Sequence, residues 1–533
     1  MLQRKLIVVG LFTIGFLLSA PSSNVSAQTY IDLHDFNCAT EGCQPSNPQL
    51  LAQGKDGNLY GDIDGGGTYY LGTVFLVTPS GTASTLYNFD MSSGNSMSGL
   101  TFGTDGNFYG TTWGGGAYEN GTLFKVSPSG TLTTLHSFAS SEGSPVAPPI
   151  QGNDESFYGV TYGPNDYTAY KVSTTGAYGT VSSSSPPYVE APLLQASDGN
   201  FYGPSVFTNV NGGCGSIFKM SATGRVSTVY SFDTTHGCNP VGPLVQDAKG
   251  YLYGTAWSGG SFNLGVVFRL TTKGVLTVLH DFDGTTGGEP LAGVVLATDG
   301  NFYGATTISG MAEGGAVFKI TATGNYTVLY DSGDGRYGWS FSQTPMQHTN
   351  GKIYGLAGQG GTYNGGVLYS LDVGLAPFIK LMTTQGNAGQ IIQLLGQGFT
   401  GTTAVRFGTG LARFTVVSDT YMTAKVPATA TTGYVTAATP SGTLTSSQTF
   451  KVLPVITSFK PTSGPVGTKV TIIGSDFIGA TKVTFGGVKA TTYTVNSGTQ
   501  ISATVPIGAK TGTIAVITPG GTTSSKATFT VIP

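Results

Sequence analysis

The sequence predicts an all-β protein built from two kinds of internal repeat, and three observations support this. The chain has 82 glycines among 533 residues and only 10% charged residues, a composition typical of many short strands joined by tight turns. Seven Tyr-Gly pairs recur at intervals of 44 to 51 residues. A different pattern, from residue 374 to the end, repeats after about 78 residues. Such periods are the mark of a repeat architecture.

The Tyr-Gly pairs mark the units of the first repeat. Four of them follow Asp-Gly-Asn, which predicts a two-residue type I′ hairpin turn with two positive φ angles. A second hairpin follows, as at Ser127–Gly130, so each unit holds four strands. Four strands per unit are typical of a propeller blade, whereas the coils of a β-solenoid, the alternative, repeat at about 20 to 30 residues. The seven tyrosines are Tyr60, Tyr109, Tyr158, Tyr202, Tyr253, Tyr303 and Tyr354.

The two ends of this repeat complement each other. Tyr30–Phe36 matches the fourth strand of a unit, such as Val278–Phe282, but has no first three strands before it. The seventh unit passes from Gly366–Leu371 directly into the next region without a fourth strand. We therefore predict a seven-bladed β-propeller over residues 28–373, closed by the N-terminal strand so that no sheet edge stays open.

The first 27 residues predict export. Arg4 and Lys5 precede an apolar run over residues 6–18, and the small residues at 25–27 form a cleavage site, the pattern of a secretory signal peptide. No later segment has 18 uninterrupted apolar residues, so we expect no integral membrane segment after cleavage. The predicted location is secreted or at the cell surface.

The second repeat predicts two immunoglobulin-like β-sandwiches, over 374–453 and 454–533. Each copy alternates polar and apolar residues in short runs, as in Lys469–Gly474. The segments 461–468, Gly474–Phe477 and 483–487 resemble the IPT/TIG family, and the copy at 374–453 resembles it more loosely because it lacks the proline-rich opening.

The first repeat also carries a resemblance. Its Asp-Gly-Asn-Phe-Tyr-Gly turns, glycine-rich loops and Val-Phe-Lys-Ile strands resemble the bacterial GloVer tandem-repeat family. This resemblance implies a surface or secreted protein and no particular reaction or catalytic residue.

The four cysteines fit an exported protein, and none has the spacing of a CxxC motif. Cys38 and Cys43 share one loop. In a propeller the second-to-third loop and the loop entering the next blade lie on the same face, which would bring Cys214 and Cys238 together. We predict both pairs as disulfides, with free buried thiols as the alternative.

The sequence offers no catalytic, metal or cofactor motif. Three of its five histidines, His34, His136 and His280, share a repeat position with tyrosines and are interpreted as packing residues. His236 and His348 lie in loops without a partner motif, and we expect them to be solvated. A net charge of -3 without basic clusters disfavours nucleic acid. We expect no catalytic residue, no metal and no cofactor.

One set of residues indicates a binding surface. The third position after each Tyr-Gly pair holds Trp113, Tyr162 and Trp257 in three of the units. Planar aromatic side chains at an open rim could contact a sugar or a partner. Alternation along the strand also allows them to fill space between blades, and both interpretations stay open here.

Two functional classes follow. The first, which we favour, is a non-catalytic binding or adhesion protein, expected to be monomeric, whose propeller presents loops to an extracellular glycan or protein, with the sandwiches as spacers or docking units. The second is a secreted polysaccharide lyase or glycoside hydrolase with carboxylates gathered at the propeller channel. Acidic residues with raised pKa at the channel would favour the enzyme.

Overall fold

The structure is a computed structural model. It describes residues 28–43, 45, 51–164, 166–182, 186–206, 213–308, 314–333 and 338–533. The signal peptide predicted over 1–27 lies outside the described residues. The described chain contains strands, turns and loops but no helix, and hence no helix that could cross a membrane.

Residues 29–372 form seven antiparallel sheets of four or five strands, numbered here in chain order. Sheet 1 consists of β2 (Ala52–Gln53), β3 (Leu59–Ile63), β4 (Thr73–Val77) and β5 (Ala83–Asn88). Sheet 2 consists of β6 (Asn95–Met97), β7 (Thr101–Phe102), β8 (Phe108–Gly114), β9 (Thr122–Val126) and β10 (Leu132–Ser137). Sheet 3 consists of β11 (Ser144–Pro145), β12 (Ile150–Gln151), β13 (Phe157–Gly163), β14 (Asp166–Val172) and β15 (Tyr178–Thr180). Sheets 4 and 5 consist of β16 (Leu194–Gln195), β17 (Phe201–Ser205), β18 (Ser216–Met220) and β19 (Val226–Ser231); and β20 (Val245–Gln246), β21 (Leu252–Ala256), β22 (Val266–Leu270) and β23 (Leu276–Asp281). Sheets 6 and 7 consist of β24 (Val294–Leu296), β25 (Phe302–Ala305), β26 (Ala316–Ile320) and β27 (Tyr326–Asp331); and β28 (Met346–Gln347), β29 (Ile353–Ala357), β30 (Val367–Asp372) and the N-terminal β1 (Thr29–Asp35).

The C-terminal part contains two β modules with separate cores. The strands of the first are β31 (Lys380–Leu381), β32 (Gln385–Gly386), β33 (Ile391–Leu395), β34 (Ala404–Phe407), β35 (Gly410–Ser418), β36 (Tyr421–Lys425), β37 (Gly433–Thr439) and β38 (Gly442–Val452). The second has two sheets packed over one core, made of β39 (Val455–Lys460), β40 (Ser463–Gly464), β41 (Lys469–Ser475), β42 (Lys482–Phe485), β43 (Val488–Lys489), β44 (Tyr493–Ser497), β45 (Gln500–Thr504), β46 (Gly512–Thr518) and β47 (Gly521–Val531).

The Tyr-Gly pair joins each sheet to its neighbour. In sheet 1, the Tyr60 hydroxyl donates to Asp56 Oδ2 at 2.8 Å, and its ring stacks on Phe108 of sheet 2 with centroids 4.0 Å apart. A Cβ on Gly61 would overlap the Phe75 ring of β4, so only glycine fits beneath that ring. The tyrosine-to-aspartate hydrogen bond recurs in sheets 1 to 6, from Tyr60, Tyr109, Tyr158, Tyr202, Tyr253 and Tyr303.

A glutamine on the first strand forms a second link between sheets. In each case its side-chain Oε1 accepts a hydrogen bond from a backbone N–H in the turn of the preceding sheet. The Thr349 N–H of sheet 7 donates to Gln53 of sheet 1 at 3.0 Å, so sheets 7 and 1 meet through the same contact as consecutive sheets do. The other four links join Thr104 to Gln151, Asn153 to Gln195, Ser197 to Gln246 and Thr298 to Gln347.

Strand β1 takes the place of a fourth strand in sheet 7. It pairs antiparallel with β30 over the whole length from Thr29↔Asp372 to Asp35↔Val367. Phe36, which follows β1, is fully buried in a cluster that also contains Tyr354 of sheet 7 and Leu59 and Phe75 of sheet 1. The first and seventh sheets therefore share one hydrophobic core.

The hairpin turns differ from the predicted type I′. In the turn at 54–58, the Gly57 N–H donates to the Gly54 carbonyl and the Gly54 N–H to the Asn58 carbonyl. Gly57 has a φ of 79°, whereas Asp56 is not among the residues with positive φ. This is a type I turn followed by a left-handed glycine, the three-residue hairpin loop. Asp56 is held in this form because its carboxylate accepts the Asn58 N–H.

The cysteines behave differently in their two pairs. Cys214 and Cys238 form a disulfide with their Cα atoms 4.3 Å apart. Cys38 and Cys43 are free, partly buried thiols in the structure, although they lie close enough to interact. Burial, with Cys38 adding a smaller part, raises the pKa of Cys43 to about 12, which disfavours the thiolate that oxidation requires. The Cys38–Cys43 bond therefore stays a prediction.

We predict that Phe36 is needed to hold sheets 7 and 1 together. Replacing this buried ring by alanine leaves a cavity in their shared core, so Phe36→Ala should lower the free energy of unfolding by about 3–5 kcal/mol. Ile31→Ala, on the exposed side of the same strand, is the matched control and should change it by less than about 0.5 kcal/mol. Chemical denaturation measures both. Equal stabilities would contradict the shared core.

We predict that Asp62 makes stability fall as pH rises. Its carboxyl is buried, accepts the Gly99 N–H at 3.1 Å, and burial followed by the charge of Asp64 raises its pKa well above the usual value. The unfolded chain releases this proton above about pH 4 and the folded chain retains it, so rising pH favours unfolding. Asp62→Asn should therefore raise Tm more at pH 8 than at pH 4.

Asp90 is the control for that experiment, because its contribution to stability changes with pH in the opposite direction to that of Asp62. Hydrogen bonds from Ser92 and Ser93 lower the pKa of the partly exposed Asp90, so its stabilising effect is present above about pH 4 and is lost on acidification. Asp90→Asn should lower Tm at pH 8 and have little effect at pH 3. If the Tm of Asp62→Asn equals that of the parent protein at every pH, the proposed role of Asp62 is ruled out.

Mass spectrometry of a non-reduced digest identifies the disulfides. The protein for this test is recovered from an oxidising compartment after export by the expression host. We expect a cross-linked peptide for Cys214–Cys238, and the same digest decides whether Cys38 and Cys43 are joined. Removing the first bond by a double serine substitution should cost about 2–4 kcal/mol of unfolding free energy. Alkylation of Cys214 without reduction would contradict the assignment.

Candidate functional site

The seven sheets expose two different ends. The turns between first and second strands, such as 54–58, 103–107 and 348–352, lie at one end of the second strands, and we call this the turn face. The loops between second and third strands, such as 64–72, 115–121 and 257–265, lie at the other end, and we call this the loop face. The two faces are opposite because they cap opposite ends of the same strands.

The first C-terminal module packs on the turn face. Gln393 Nε2 donates to the Thr104 carbonyl at 2.6 Å, and Thr420 Oγ1 donates to the Lys55 carbonyl at 2.7 Å. The Lys55 ammonium lies 4.7 Å above the Tyr421 ring. Since these contacts involve turns of sheets 1 and 2, and Gln397 Nε2 also reaches Thr349 of sheet 7, the turn face is covered there by the chain itself.

The aromatic residues singled out by the sequence lie on the loop face. Trp113 and Tyr162 are the penultimate residues of β8 and β13, and Trp257 follows β21 directly. Their exposed fractions are 47%, 48% and 37%, whereas Val206 at the same repeat position is buried. The rings are thus accessible from the solvent.

Tyr162 belongs to a row of three tyrosines. Its ring centroid lies 4.9 Å from that of Tyr167, and Tyr167 lies 5.1 Å from Tyr188. Burial, then a hydrogen bond with Glu190, raises the pKa of Tyr188, so its hydroxyl stays protonated at neutral pH. Tyr188 lies in the loop between sheets 3 and 4, outside the counted repeat position, and the sequence analysis missed it.

A further set of exposed aromatic residues was also missed. Four glycine-rich loops share the pattern Gly-Gly-x-aromatic-x-x-Gly, and the aromatic residue at each tip is between 57% and 59% exposed. The pattern is readable in the sequence once the loops are aligned on their glycine pairs rather than on the Tyr-Gly pair. The four tip residues are Tyr69, Tyr118, Phe262 and Tyr363.

Three of the histidines have aromatic or acidic partners close by. His136 and His280 stack on Tyr178 and Tyr326 of the next sheet, with centroids 4.4 Å and 3.7 Å apart. His236 Nδ1 lies 2.9 Å from Asp233 Oδ1 on the surface.

His348 is buried rather than solvated, so that expectation was wrong. Its Nε2–H donates to the Gly57 carbonyl at 2.9 Å, and burial lowers its pKa to about 4. The physical reason is that the first C-terminal module and sheet 1 cover the turn in which it lies.

The turn carboxylates have structural partners. Asp105 Oδ1 accepts the Asn107 N–H at 3.0 Å, and Asp105 Oδ2 accepts the Tyr109 hydroxyl at 2.7 Å. Within the part of the chain that the structure describes, no three histidine, cysteine or acidic residues group as metal ligands.

Comparison with solved structures finds distant likenesses. A streptogramin B lyase is 14% identical over 65% of this chain and 97% of its own, with a TM-score of 0.46. Virginiamycin B lyase from Staphylococcus aureus is 11% identical over 64% and 98%, with a TM-score of 0.46. A fungal alcohol oxidase of the AA5 family is 15% identical over 78% and 100%, with a TM-score of 0.44. Likeness at this level assigns no reaction to this chain, and no curated protein matches it.

Family models give a definite assignment. The Gloeobacter/Verrucomicrobia repeat model matches residues 16–173 and 188–413, and the IPT/TIG domain model matches residues 377–452 and 454–531. The first model covers more than half of the chain, and both agree with the resemblances read from the sequence. The chain belongs to the Gloeobacter/Verrucomicrobia repeat family and carries two IPT/TIG domains at its C-terminal end.

Proposed function

We infer that the seven sheets are the blades of one closed propeller over residues 28–373, followed by domains over 374–453 and 454–533. Three contacts support closure: the β1–β30 ladder, the Thr349–Gln53 hydrogen bond and the shared core around Phe36. A closed ring leaves each blade with a neighbour on both sides and hides the sheet edges.

We propose that the protein is exported and acts outside the cytoplasm, either secreted or at the cell surface. The signal-peptide pattern over residues 1–27 supports export. The Cys214–Cys238 disulfide is also consistent with an oxidising compartment, where such bonds persist.

We propose that the protein binds an extracellular glycan or protein on its loop face without catalysing a reaction. The observation that carries this proposal is the exposure of Trp113, Tyr162 and Trp257 at one repeat position. A large planar ring held at the end of a strand offers contact area at low conformational cost. The turn face is less suited to a ligand because the first IPT/TIG domain packs there.

The alternative, a lyase or hydrolase at the channel, requires accessible carboxylates. Asp62, with Asp64 nearby, has a strongly raised pKa, the kind of signal that marks an active site. Asp62 is only 1% exposed, however, and one of its oxygens already accepts the Gly99 N–H. A substrate has no access to this carboxyl, so the binding function is the better supported of the two.

The two IPT/TIG domains are proposed to be spacers or docking units in series. The first fixes its position through Gln393, Gln397 and Thr420, which reach three turns of the propeller. Three separate contacts fix the orientation of the first IPT/TIG domain relative to the propeller, whereas a single linker would leave it free to rotate. The loop face would thereby be held away from the C-terminal end.

The binding surface is tested by replacing Trp113 and Trp257 with alanine. We expect the affinity for a glycan identified by array screening to fall by at least about 1 kcal/mol per ring, with little change in Tm, because both rings are exposed. Calorimetric titration measures the affinity.

Trp113→Phe and Trp257→Phe are the matched controls, because each keeps a planar ring and should retain most of the affinity. If the rings instead fill space between blades, each alanine should cost about 3–5 kcal/mol of stability. Unchanged affinity per folded molecule would then exclude the ligand role.

A further inference from the structure

We infer that the four aromatic loop tips, Tyr69, Tyr118, Phe262 and Tyr363, are stacking positions for the sugar rings of a neutral polysaccharide chain. This inference rests on the proposed binding function and names its ligand class. It also adds a second set of residues, distinct from Trp113, Tyr162 and Trp257, on the same face.

The four loops have the same backbone conformation. In each, the residue after the aromatic has a φ between 52° and 61°, and its N–H donates to the carbonyl of the second glycine. The closing glycine N–H donates to the first glycine carbonyl. Four loops of different sequence therefore adopt one shape, which places the aromatic residue at the third position of a tight turn. The loops are 66–72, 115–121, 259–265 and 360–366.

The fourth strand of the same sheet holds each tip in place. The Thr68 N–H donates to Asn88 Oδ1 at 2.8 Å, and the Ser261 N–H donates to Asp281 Oδ1 at 3.0 Å. In sheet 2 the Ser137 hydroxyl takes this role for the Ala117 N–H. A residue on a loop tied down in this way loses little freedom on binding, which favours recognition.

In sheet 7 the partner comes from the N-terminal strand. The Thr362 N–H donates to Asp35 Oδ2 at 2.8 Å. The equivalent tip, Tyr363, is thus fixed by β1, which fills the place of the missing fourth strand.

The exposure of the tips excludes a role in the core. The rings of Tyr69, Tyr118, Phe262 and Tyr363 are all more than half exposed, with fractions of 57% to 59%. Each half-exposed ring offers apolar area that a ligand can cover. Because the four positions are structurally equivalent, a ligand with a repeating structure can contact each ring in the same way.

The charges of the loops select a neutral ligand. Among the 28 residues of the four loops, Glu119 is the only charged side chain, and no lysine or arginine is present. A polyanion such as nucleic acid or an acidic polysaccharide needs cations, which these loops lack. The tips lie on separate loops bounded by glycines, with the exposed Tyr70 beside Tyr69 in the first loop, rather than in the contiguous apolar patch typical of a protein interface.

A polysaccharide fits both features. The apolar face of a sugar ring can cover an aromatic ring while its hydroxyls remain in water. Sheets 7, 1 and 2 are consecutive around the proposed ring, so three tips are offered on neighbouring blades. Several weak contacts along one chain add through the high effective concentration of the next sugar. In loops 115–121 and 259–265, Trp113 and Trp257 stand two residues before the first glycine and extend the same surface.

The test uses the full mature chain and affinity electrophoresis in barley β-glucan, xyloglucan and glucomannan, with polygalacturonate and alginate as anionic controls. We expect retardation by at least one neutral polysaccharide and none by the anionic ones. The quadruple variant Tyr69→Ala, Tyr118→Ala, Phe262→Ala and Tyr363→Ala should bind that neutral polysaccharide at least 10-fold more weakly, with unchanged Tm. Phe262→Tyr should retain affinity, and Tyr434→Ala, at a half-exposed tyrosine of the first IPT/TIG domain, should have no effect.

The outcomes separate this inference from the proposed function. If the quadruple variant binds like the parent while Trp113→Ala and Trp257→Ala weaken binding, the loop tips are not the site and the binding function stands. Retardation by the anionic polymers alone would overturn the neutral ligand. If no polysaccharide retards the parent protein, the inference fails, and a protein ligand becomes the occupant left for the binding function.

Discussion

The structure depends on one side chain that serves two neighbouring sheets, the tyrosine of each Tyr-Gly pair. Its ring must be buried to fill the gap between sheets, and a buried hydroxyl without a partner is costly. An aspartate four residues before the tyrosine removes that cost, because its carboxylate accepts the hydroxyl hydrogen bond. This is seen at Tyr60, Tyr109 and Tyr303. The hairpin turn and the sheet interface are therefore parts of the same device, and a change in either disturbs both.

This arrangement separates the core from the loop face. The tyrosine, its glycine and the aromatic ring above it lie on the strands, and the glutamine links lie at the turn face. None of these contacts needs a particular loop between second and third strands. Loop length can therefore vary, as the spacing of 44 to 51 residues shows, without loss of the sheet interfaces. This is the usual division between a rigid scaffold and variable binding loops.

The sequence predicted the features that recur in every repeat unit. It missed the features that depend on contacts with other parts of the chain. The Tyr-Gly period predicted the strand units, and the pairing of β1 with β30 agrees with the complementary ends. The turn type was wrong because hydrogen bonds of Asp56 favour a type I turn that composition does not reveal. His348 was placed in solvent because nothing in its own loop shows that another domain covers it. The tips Tyr69 and Phe262 were missed since their position was counted from the wrong landmark.

Strand β1 connects the closure of the sheets to the proposed ligand surface. Asp35 fixes the loop of Tyr363 in sheet 7, and the carbonyl of Cys38, just after the strand, accepts the Gly67 N–H beside Tyr69 in sheet 1. Two of the four tips are thus positioned by residues 35–38. Because Phe36 lies between them in the core shared by both sheets, the contacts that join the chain ends are also those that order this part of the loop face. Loosening the N-terminal strand should therefore affect the shape of these loops, and the core where Tyr30 stacks on Tyr330 of sheet 6, before it affects sheets 2 to 5.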